Sequence, residues 1–322
     1  MQLEHIRTLV ADDLRRLDAV IADRLASDVV LVNQVAQYIV SAGGKRLRPL
    51  SVIVAARACG YTGHRHVEAA AVIEFIHTST LLHDDVVDGS DLRRGRDTAN
   101  HVFGNQASVL VGDYLYSRSF QMMVDLDDLR IQRVMADATN TIAMGEVLQL
   151  MNAHDPDTTE ARYFEVIYRK TARLFEAGVQ VAAILAKAPE PVERAMVAYG
   201  RHLGTAFQLV DDMLDYRADR DELGKNLGDD LAEGKPTLPL IYALGHSSPA
   251  EAARIRAAIE VGGLDNLEAV TQTIESSGGL EYTARLAQRE RDLAIEALAD
   301  LPDSAYKQAL RALADFAVSR SH

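Results

Sequence analysis

The sequence predicts an all-α protein, and two patterns in it carry that prediction. Apolar residues recur at intervals of three and four along several long segments, which places them on one face of a helix. The apolar–polar alternation that is typical of strands is scarce, and the β-like piece SVIVA at residues 51–55 is expected to lie within a helix. The 8 prolines and 20 glycines are mostly gathered in short clusters between the segments, where we expect loops.

The helical segments follow one another in a single bundle of roughly ten or more helices. They are predicted at residues 30–40, 69–88, 107–126, 131–151, 163–186, 192–218 and 280–298. Loops are predicted at residues 41–49, 89–100, 152–159, 219–239, 245–249 and 262–265. None of these loops is long enough, or rich enough in serine and proline, to link two domains, and no internal repeat is visible. Residues 1–322 are therefore predicted to form one domain.

Composition and charge exclude several classes of protein. A chain that is 48% hydrophobic and 25% charged is an ordinary globular protein. Its net charge of −13 disfavours binding to nucleic acid or anionic lipid, so we expect no nucleic-acid partner. A single cysteine, Cys59, suits a reducing compartment. The charged, amphipathic N-terminus and the lack of an apolar run of about 20 residues predict a cytoplasmic protein without a transmembrane segment.

Two aspartate triplets repeat the same spacing of i, i+1 and i+4 on predicted helices. The first acidic group lies in LLHDDVVD and the second acidic group in QLVDDMLD; their members are Asp84, Asp85 and Asp88, and Asp211, Asp212 and Asp215. One triplet alone could be a solvated helix end. Two triplets on mostly apolar helices are hard to explain in that way, because buried unpaired carboxylates are costly. Since Mg²⁺ prefers oxygen ligands, we interpret both groups as metal-binding.

Basic residues occur in several places where they could bind anions. The loop SAGGKRLRPL carries Lys45, Arg46 and Arg48, and DLRRGRDTA follows the first acidic group with Arg93 and Arg94. Such residues are often merely solvated or balance nearby charge, but arginine also matches the geometry of phosphate. Further candidates are His77, Lys170, Thr171, Gln208, Lys225 and Lys235. Together with the acidic groups they predict a site for two phosphate-bearing substrates, one of which is held through Mg²⁺.

The order of these motifs resembles that of the trans-polyprenyl diphosphate synthases. GGKRLRP, LLHDDVVD followed by RRG, KT, and FQLVDDMLD followed by GK and EGKPTLP cover essentially the whole chain. The resemblance is greatest to the long-chain members that serve quinone biosynthesis. It implies an isoprenoid synthase-type helical bundle around a central cavity, usually as a homodimer. It also implies successive addition of isopentenyl diphosphate to an allylic diphosphate, with farnesyl diphosphate as the expected starter. The expected product is about octaprenyl diphosphate, passed to membrane enzymes.

The resemblance also implies a role for each candidate residue. Three Mg²⁺ ions are expected with substrate bound, held by Asp84, Asp88 and Asp211 and supported by Asp85, Asp212 and Asp215. Isopentenyl diphosphate would contact Lys45, Arg48, His77 and Arg94. The allylic diphosphate would contact Arg93, Lys225 and Lys235, and its reacting carbons would lie near Lys170, Thr171 and Gln208.

The length of the product is expected to depend on the residues that precede the first acidic group. Ser79 and Thr80 are small, whereas shorter-chain relatives tend to carry aromatic rings in this region. They lie about 6–7.5 Å from Asp84 along the helix, where the growing chain would leave the metal site. Phe75 is expected to point away from that path. Phe120 and Met123 are candidates for the floor of the tunnel and Met135 is a looser one, although all three could be ordinary core residues.

Other functions agree less well with the motifs. A shorter-chain synthase, making geranylgeranyl or farnesyl diphosphate, remains an alternative. A class I terpene cyclase would share the first acidic group, but GGKRLRP and the second acidic group argue against it. A di-iron carboxylate bundle needs Glu-x-x-His on two helices, and only residues 74–77 supply one. A helical partner subunit that has lost its activity is a further alternative. Such a subunit would not need residues capable of metal and phosphate binding at every motif position.

Overall fold

The computed structural model describes residues 2–41, 43–93, 95–217 and 228–320. Two residues that were predicted to bind substrate, Arg94 and Lys225, lie outside these described ranges. Within them the protein is built from helices, and the strands that occur there form one short antiparallel hairpin, β1 (Leu92–Arg93) and β2 (Arg96–Asp97). The prediction of an all-α fold is confirmed.

The helices have the following bounds. In the first half of the chain they are α1 (Leu3–Leu9), α2 (Ala11–Leu25), α3 (Val30–Ser41), α4 (Leu47–Ala58), α5 (Arg65–Val87), α6 (Ala99–Phe103), α7 (Asn105–Asp125) and α8 (Leu129–Asn152). The second half contains α9 (Glu160–Ile167), α10 (Arg173–Leu185), α11 (Glu190–Leu214), α12 (Asp229–Ala232), α13 (Leu238–His246), α14 (Pro249–Val261), α15 (Leu267–Ser277), α16 (Gly279–Ala297) and α17 (Ala305–Ser319). None of the helices in the described ranges is long and apolar enough to cross a membrane.

One predicted helix contains an interruption that its pattern did not show. The segment expected at 163–186 is α9 and α10 joined by a π-helical turn, Tyr168–Ala172. This turn carries Lys170 and Thr171. Such turns are rare and are found frequently at functional sites. The one extra residue in this turn leaves apolar residues at intervals of three and four. The spacing of apolar residues therefore does not reveal the π-helical turn.

The contacts between residues divide the chain into two compact units, each made of separate stretches of sequence. The first unit is Met1–Thr139, Leu174–Gly200 and Ala297–Leu313. The second unit is Asn140–Arg173, Arg201–Glu296 and Ala314–His322. That 1–322 is one domain stays a prediction.

Helix α5 lies at the centre of the first unit and packs against α7, α4 and α2. Its contact with α7 is close because Gly112 has no side chain there; a Cβ at Gly112 would lie 2.4 Å from Nε2 of His83. Two serine hydroxyls also cross this contact, Ser79 to the carbonyl of Gly112 and Ser108 to the carbonyl of Leu82, at 2.8 and 2.9 Å. The contact therefore fixes the part of α5 that leads into the first acidic group.

The second unit has its own apolar core around the end of α11. Leu209 and Val210 are buried there together with Leu231 of α12 and Leu238 and Leu240 of α13. Helices α13, α14 and α15 pack against one another. Because Leu209 and Val210 directly precede Asp211, the core holds the helix end that carries the second acidic group.

Candidate active site

The first acidic group lies at the C-terminal end of α5. The helix ends at Val87, and the backbone N–H of Asp88 still donates to the carbonyl of Asp84 at 2.8 Å. Asp88 is therefore one residue past the helix but keeps its place one turn beyond Asp84. Both of these residues are half-buried, whereas Asp85 is fully buried. The spacing thus divides the triplet into two accessible carboxylates and one interior carboxylate.

Asp85 is paired with Arg93 of the following hairpin. The Nε and Nη2 atoms of Arg93 lie 2.8 and 2.7 Å from Oδ1 of Asp85. Burial raises the pKa of Asp85 above its ordinary value, although the Arg93 guanidinium opposes this shift. Asn100 donates to the backbone carbonyl of Asp85 at 3.2 Å and so holds the hairpin connection in place. Arg93, predicted to contact the allylic diphosphate, is an ion-pair partner of the first acidic group in this structure.

The basic loop before α4 has a constrained backbone. Arg46 has a φ of 47°, in the left-handed region that residues other than glycine rarely adopt. Its side chain pairs with Asp18, and Arg7 donates to the carbonyl of Lys45 at 3.1 Å. Contacts from α1 and α2 therefore hold the loop in a conformation that it would not adopt alone.

Arg48 and His77, which were predicted to bind the same substrate, lie together. Nη1 of Arg48 is 3.1 Å from Nε2 of His77, so α4 and α5 each contribute one of the pair. The Arg48 guanidinium also lies over the ring of Phe175, 4.8 Å from its centroid. Arg48 is therefore positioned both by an imidazole and by an aromatic face.

The second acidic group lies at the C-terminal end of α11. Asp211 is exposed, Asp212 is only 4% exposed, and Asp215 follows the last helical residue, Leu214. The backbone N–H of Asp215 donates to the carbonyl of Asp211 at 3.2 Å. Like the first acidic group, this triplet has one buried member in the second position.

Thr171, Gln208 and Asp212, all predicted site residues, are joined by hydrogen bonds. Thr171 Oγ1 donates to Oε1 of Gln208 at 2.8 Å. Nε2 of Gln208 donates to Oδ1 of Asp212 at 2.7 Å. The hydroxyl of Tyr163 donates to the other oxygen, Oδ2.

The buried position of Asp212 has a large electrostatic effect. Burial, together with the nearby charge of Asp230, raises the pKa of Asp212 to about 8, although the hydrogen bonds from Tyr163 and Gln208 act in the opposite direction. A cation bound beside Asp212 would lower this pKa again, because opposite charge favours the ionised form. The carboxylate is therefore suited to a place next to bound metal.

Lys170 is held by α8 at the π-helical turn. Its Nζ lies 2.7 Å from Oε2 of Glu146 and 2.7 Å from Oε1 of Gln149. The turn can come this close because of Gly145, where a Cβ would lie 2.7 Å from Cβ of Arg169 and 2.8 Å from the backbone nitrogen of Lys170. The glycine thus explains why α8 and the turn meet at this point.

The remaining contacts of the second acidic group come from later in the chain. Nη1 of Arg320 lies 3.3 Å from Oδ1 of Asp211. Oδ2 of Asp215 accepts from the backbone N–H of Asp230 at 3.1 Å, and the carbonyl of Asp230 accepts from the N–H of Lys235 at 2.7 Å. The segment that carries Lys235 is therefore connected to the second acidic group by backbone hydrogen bonds. The side chain of Lys235 forms an ion pair with Glu233.

Several contact residues were not identified from the sequence, among them Tyr163, Glu146 and Arg320. They lie 49, 24 and 109 residues from the partners Asp212, Lys170 and Asp211. No local pattern marks Tyr163 or Arg320, since each contact depends on how the helices meet. For Glu146 the stretch GEVLQLM offered a signal, because it places Glu146 and Gln149 on one helix face.

The carboxylates fit a metal that arrives with its substrate. Within the described ranges, no three His, Cys, Asp or Glu side chains are close enough together to hold a metal ion by themselves. Mg²⁺ does not need such a cage, because it is commonly bound by one or two carboxylates, waters and substrate phosphates. Half-buried Asp84 and Asp88 and exposed Asp211 are donors of that kind.

The residues predicted to control chain length differ in their surroundings. Ser79 is fully buried against α7, while Thr80 is half-buried and donates to the carbonyl of His77 at 2.9 Å. Met123 and Met135 are buried, but Phe120 is 37% exposed. The structure therefore leaves the two methionines as the enclosed candidates for a tunnel floor. Phe75, expected to point away from the path, is buried in the first unit.

Comparisons with known proteins agree with these features. A family model described as polyprenyl synthetase matches residues 29–276. The chain is 57% identical, over 99% of its own length and 99% of the relative's, to the octaprenyl diphosphate synthase of Escherichia coli. It is 48% identical to the all-trans-nonaprenyl-diphosphate synthase (geranyl-diphosphate specific) of Rhodobacter capsulatus, over 97% and 96% of the two chains.

A solved structure has the same fold. The polyprenyl synthase of Caulobacter crescentus, complexed with calcium and isoprenyl diphosphate, superposes with a TM-score of 0.97 at 43% identity and covers 100% of this chain and 98% of its own. The predicted isoprenoid synthase-type fold is confirmed by this likeness.

Proposed function

The chain belongs to the polyprenyl synthetase family and is a prenyltransferase, and we propose that it extends an allylic diphosphate to about octaprenyl diphosphate. The observation that carries the proposal is the likeness to octaprenyl diphosphate synthases over nearly the full length of both chains. We propose farnesyl diphosphate as the starter and isopentenyl diphosphate as the unit added. The product would supply quinone side chains through membrane enzymes.

Mg²⁺ is the proposed metal, with three ions in the substrate-bound enzyme. Asp84 and Asp88 would hold it in the first acidic group and Asp211 in the second. Calcium in the Caulobacter crescentus structure supports a hard divalent cation in this family. When bound, Mg²⁺ neutralises the charge that develops on the departing diphosphate. Asp85, Asp212 and Asp215 would keep the ligands in place, since each is held by its own hydrogen bonds.

Isopentenyl diphosphate is proposed to bind at the basic loop. Lys45, Arg48 and His77 would contact its diphosphate, together with Arg94. The support is the contact between Arg48 and His77 and the backbone anchoring of Lys45 by Arg7. Arg48 is additionally held over Phe175, which limits how far its charge can move.

The allylic diphosphate is proposed to be bound by basic residues that follow each acidic group in the sequence. Lys235 and Lys225 would contact it, and Arg93 would act on the same group while it supports Asp85. The hydrogen bonds from the Lys235 segment to Asp230, and from Asp230 to Asp215, support this assignment. Lysine suits this role because its ammonium group is a mobile point charge.

The reaction is proposed to proceed by ionisation. Loss of diphosphate leaves an allylic cation, which the double bond of isopentenyl diphosphate attacks before a proton is lost. Lys170 would stabilise the departing charge, and the oxygens of Thr171 and Gln208 would face the cationic carbons. Water must be excluded, because it would quench the cation. The released diphosphate is the proposed base, since no side chain at the described sites is an obvious one.

The growing chain is proposed to pass Thr80 and end at Met123. Thr80 is small and half-buried, and Met123 is enclosed in the same unit. A tunnel without an aromatic ring near its entrance suits a long product. Relatives of this chain are named for octaprenyl and nonaprenyl products.

A homodimer in the cytoplasm is the proposed assembly. In the first unit, α7 exposes Leu110 and Val124, and in the second unit α8 exposes Val147, Leu150 and Met151. Exposed apolar faces of this kind mark protein interfaces, and a second copy is the occupant that the family resemblance implies. Light scattering on the purified protein should give twice the chain mass, and Leu150→Glu should reduce it. A monomeric wild-type protein would exclude this assembly.

The proposed function is tested by measuring incorporation of labelled isopentenyl diphosphate with and without Mg²⁺. Incorporation should require both the allylic substrate and the metal, and should stop when a chelator is added. Asp84→Ala and Asp211→Ala should each reduce it strongly while the unfolding temperature changes little, whereas the exposed Asp12→Ala serves as a control. Full incorporation in excess chelator would exclude the metal-dependent mechanism. Consumption of the allylic substrate alone would indicate a terpene cyclase.

A further inference from the structure

Tyr163 ends a chain of hydrogen bonds that reaches Thr171. Its hydroxyl donates to Oδ2 of Asp212, and both residues are 4% exposed, so water does not compete for this bond. The other carboxylate oxygen of Asp212 accepts from Gln208 at 2.7 Å. Gln208 in turn accepts from Thr171 at 2.8 Å. All four side chains belong to the second unit.

The direction of these bonds determines what Thr171 can offer to a substrate. A hydroxyl carries one proton, and Thr171 donates it to Oε1 of Gln208. The Thr171 oxygen can then only accept, so it presents lone pairs. Gln208 keeps this orientation because its NH₂ group is engaged by Asp212. Tyr163 acts at the far end of the chain, where it holds the carboxylate of Asp212 in one rotation.

We propose that Tyr163 is a positioning residue for prenyl transfer: through Asp212 and Gln208 it fixes the Thr171 oxygen as an acceptor toward the cationic allylic carbons. The inference rests on the proposed function, since it needs an allylic cation. Positive charge on those carbons develops only as the diphosphate departs. The interaction is therefore stronger in the transition state than in the bound substrate, and its loss lowers kcat rather than raising KM.

Tyr163→Phe tests the proposal because it removes only the hydroxyl. We expect kcat to fall about tenfold or more, with the KM of both substrates changed less than about twofold. Tyr199→Phe is a matched control: Tyr199 is fully buried in the first unit, and its hydroxyl donates to the carbonyl of Leu310 at 2.8 Å. Both variants lose one buried hydrogen bond and should have similar unfolding temperatures. The control should keep the wild-type kcat.

A raised KM with unchanged kcat in Tyr163→Phe would overturn the proposal, as would an equal loss of kcat in Tyr199→Phe. Combining Tyr163→Phe with Thr171→Val adds a second criterion. The two changes act on one chain of hydrogen bonds, so kcat of the double variant should fall by much less than the product of the two single decreases. Independent decreases in kcat would contradict the proposal. Should Tyr163→Phe not fold, Gln208→Leu interrupts the same chain of hydrogen bonds. A raised KM with unchanged kcat in Gln208→Leu would then overturn the proposal.

Two measurements separate the role of Tyr163 from the prenyl transfer itself. If Tyr163 has no such role, the wild-type protein still transfers prenyl groups and Asp211→Ala still strongly reduces the transfer. If the proposed function is wrong, the wild-type protein shows no Mg²⁺-dependent transfer at all.

Discussion

Arg93 contacts one oxygen of Asp85 with two nitrogens: Nε donates a hydrogen bond at 2.8 Å, and Nη2 forms an ion pair at 2.7 Å. The Asp85 carboxylate has no solvent exposure, and the Arg93 side chain is 19% exposed. A buried charge is costly when it lacks its partner, so the two residues depend on each other. The pair thereby supports the turn from α5, which carries Asp84 near its end, into the hairpin.

Removing one partner of this pair should destabilise the protein more than removing both. Arg93→Met leaves Asp85 buried without its cation and should lower the free energy of unfolding by about 3–5 kcal/mol. The double variant Asp85→Leu/Arg93→Met should recover part of that loss. Urea unfolding measures both values, and Arg15→Met, which removes an exposed ion pair with Asp12, is the control. A double variant less stable than Arg93→Met would contradict this account.

Substitutions in the basic loop should affect one substrate more than the other. Lys45→Ala or Arg48→Ala should raise the KM for isopentenyl diphosphate by about tenfold to a hundredfold, because each removes a charge-assisted contact worth about 1.5–3 kcal/mol. The KM for the allylic substrate should change much less. Steady-state kinetics with each substrate varied in turn decides this, with Arg15→Ala as a surface control. Equal increases for both substrates would show that the loop serves another role.

Filling the space near Thr80 should shorten the product. Thr80→Phe is expected to stop elongation at about farnesyl or geranylgeranyl length, and Met123→Ala to allow longer chains. Thr80→Val keeps the volume and should leave the product unchanged. Ser79→Phe should also shorten the product, but it disrupts the bond to the Gly112 carbonyl and should cost stability too. An active Thr80→Phe enzyme with the wild-type product distribution would show that the chain does not pass this residue.

A buried charge cluster outside the candidate site should make stability depend on pH. Nε and Nη2 of Arg57 lie 2.8 and 2.7 Å from the carboxylate of Asp13, and His66 lies 3.1 Å from it. Burial acts to raise the pKa of Asp13, but the hydrogen bonds from Arg57 and the nearby imidazole of His66 outweigh it and hold the pKa below its ordinary 3.8. Burial also lowers the pKa of His66 below its ordinary 6.5.

Both shifts make the folded protein less stable in acid. His66 takes up a proton more readily when unfolded, so stability declines as the pH falls below about 6.5. The contribution of Asp13 is present above pH 3.8 and is lost as the pH falls through its lower folded value. Asp13→Asn should therefore cost about 3–5 kcal/mol at pH 7 and less below pH 4, whereas the exposed Asp12→Asn should cost little. Urea unfolding at several pH values measures this, and a cost independent of pH would contradict it.

The fold class could be predicted from the sequence because helical periodicity is a local property. The segments expected at 69–88, 107–126 and 131–151 correspond to α5, α7 and α8 within a few residues. The two acidic groups were also visible, since their spacing is local. Their third members, Asp88 and Asp215, lie just past the helix ends, and backbone hydrogen bonds keep them one turn beyond Asp84 and Asp211.

The partners of these residues could not be predicted because they depend on contacts between distant segments. Tyr163 and Asp212 are 49 residues apart, and nothing near Tyr163 indicates that its hydroxyl meets a carboxylate. The π-helical turn at Lys170 likewise lies against a distant segment, at Gly145, where α8 approaches closely. Local spacing thus identifies the charged groups, whereas tertiary packing determines which of them are paired.

The length of the product distinguishes an octaprenyl diphosphate synthase from a shorter-chain enzyme. Purified protein would be incubated with farnesyl diphosphate, labelled isopentenyl diphosphate and Mg²⁺, and the products separated by chromatography against prenyl standards. We expect a Mg²⁺-dependent product of about octaprenyl length. A product that stops at farnesyl or geranylgeranyl length, or no elongation at all, would exclude a long-chain synthase.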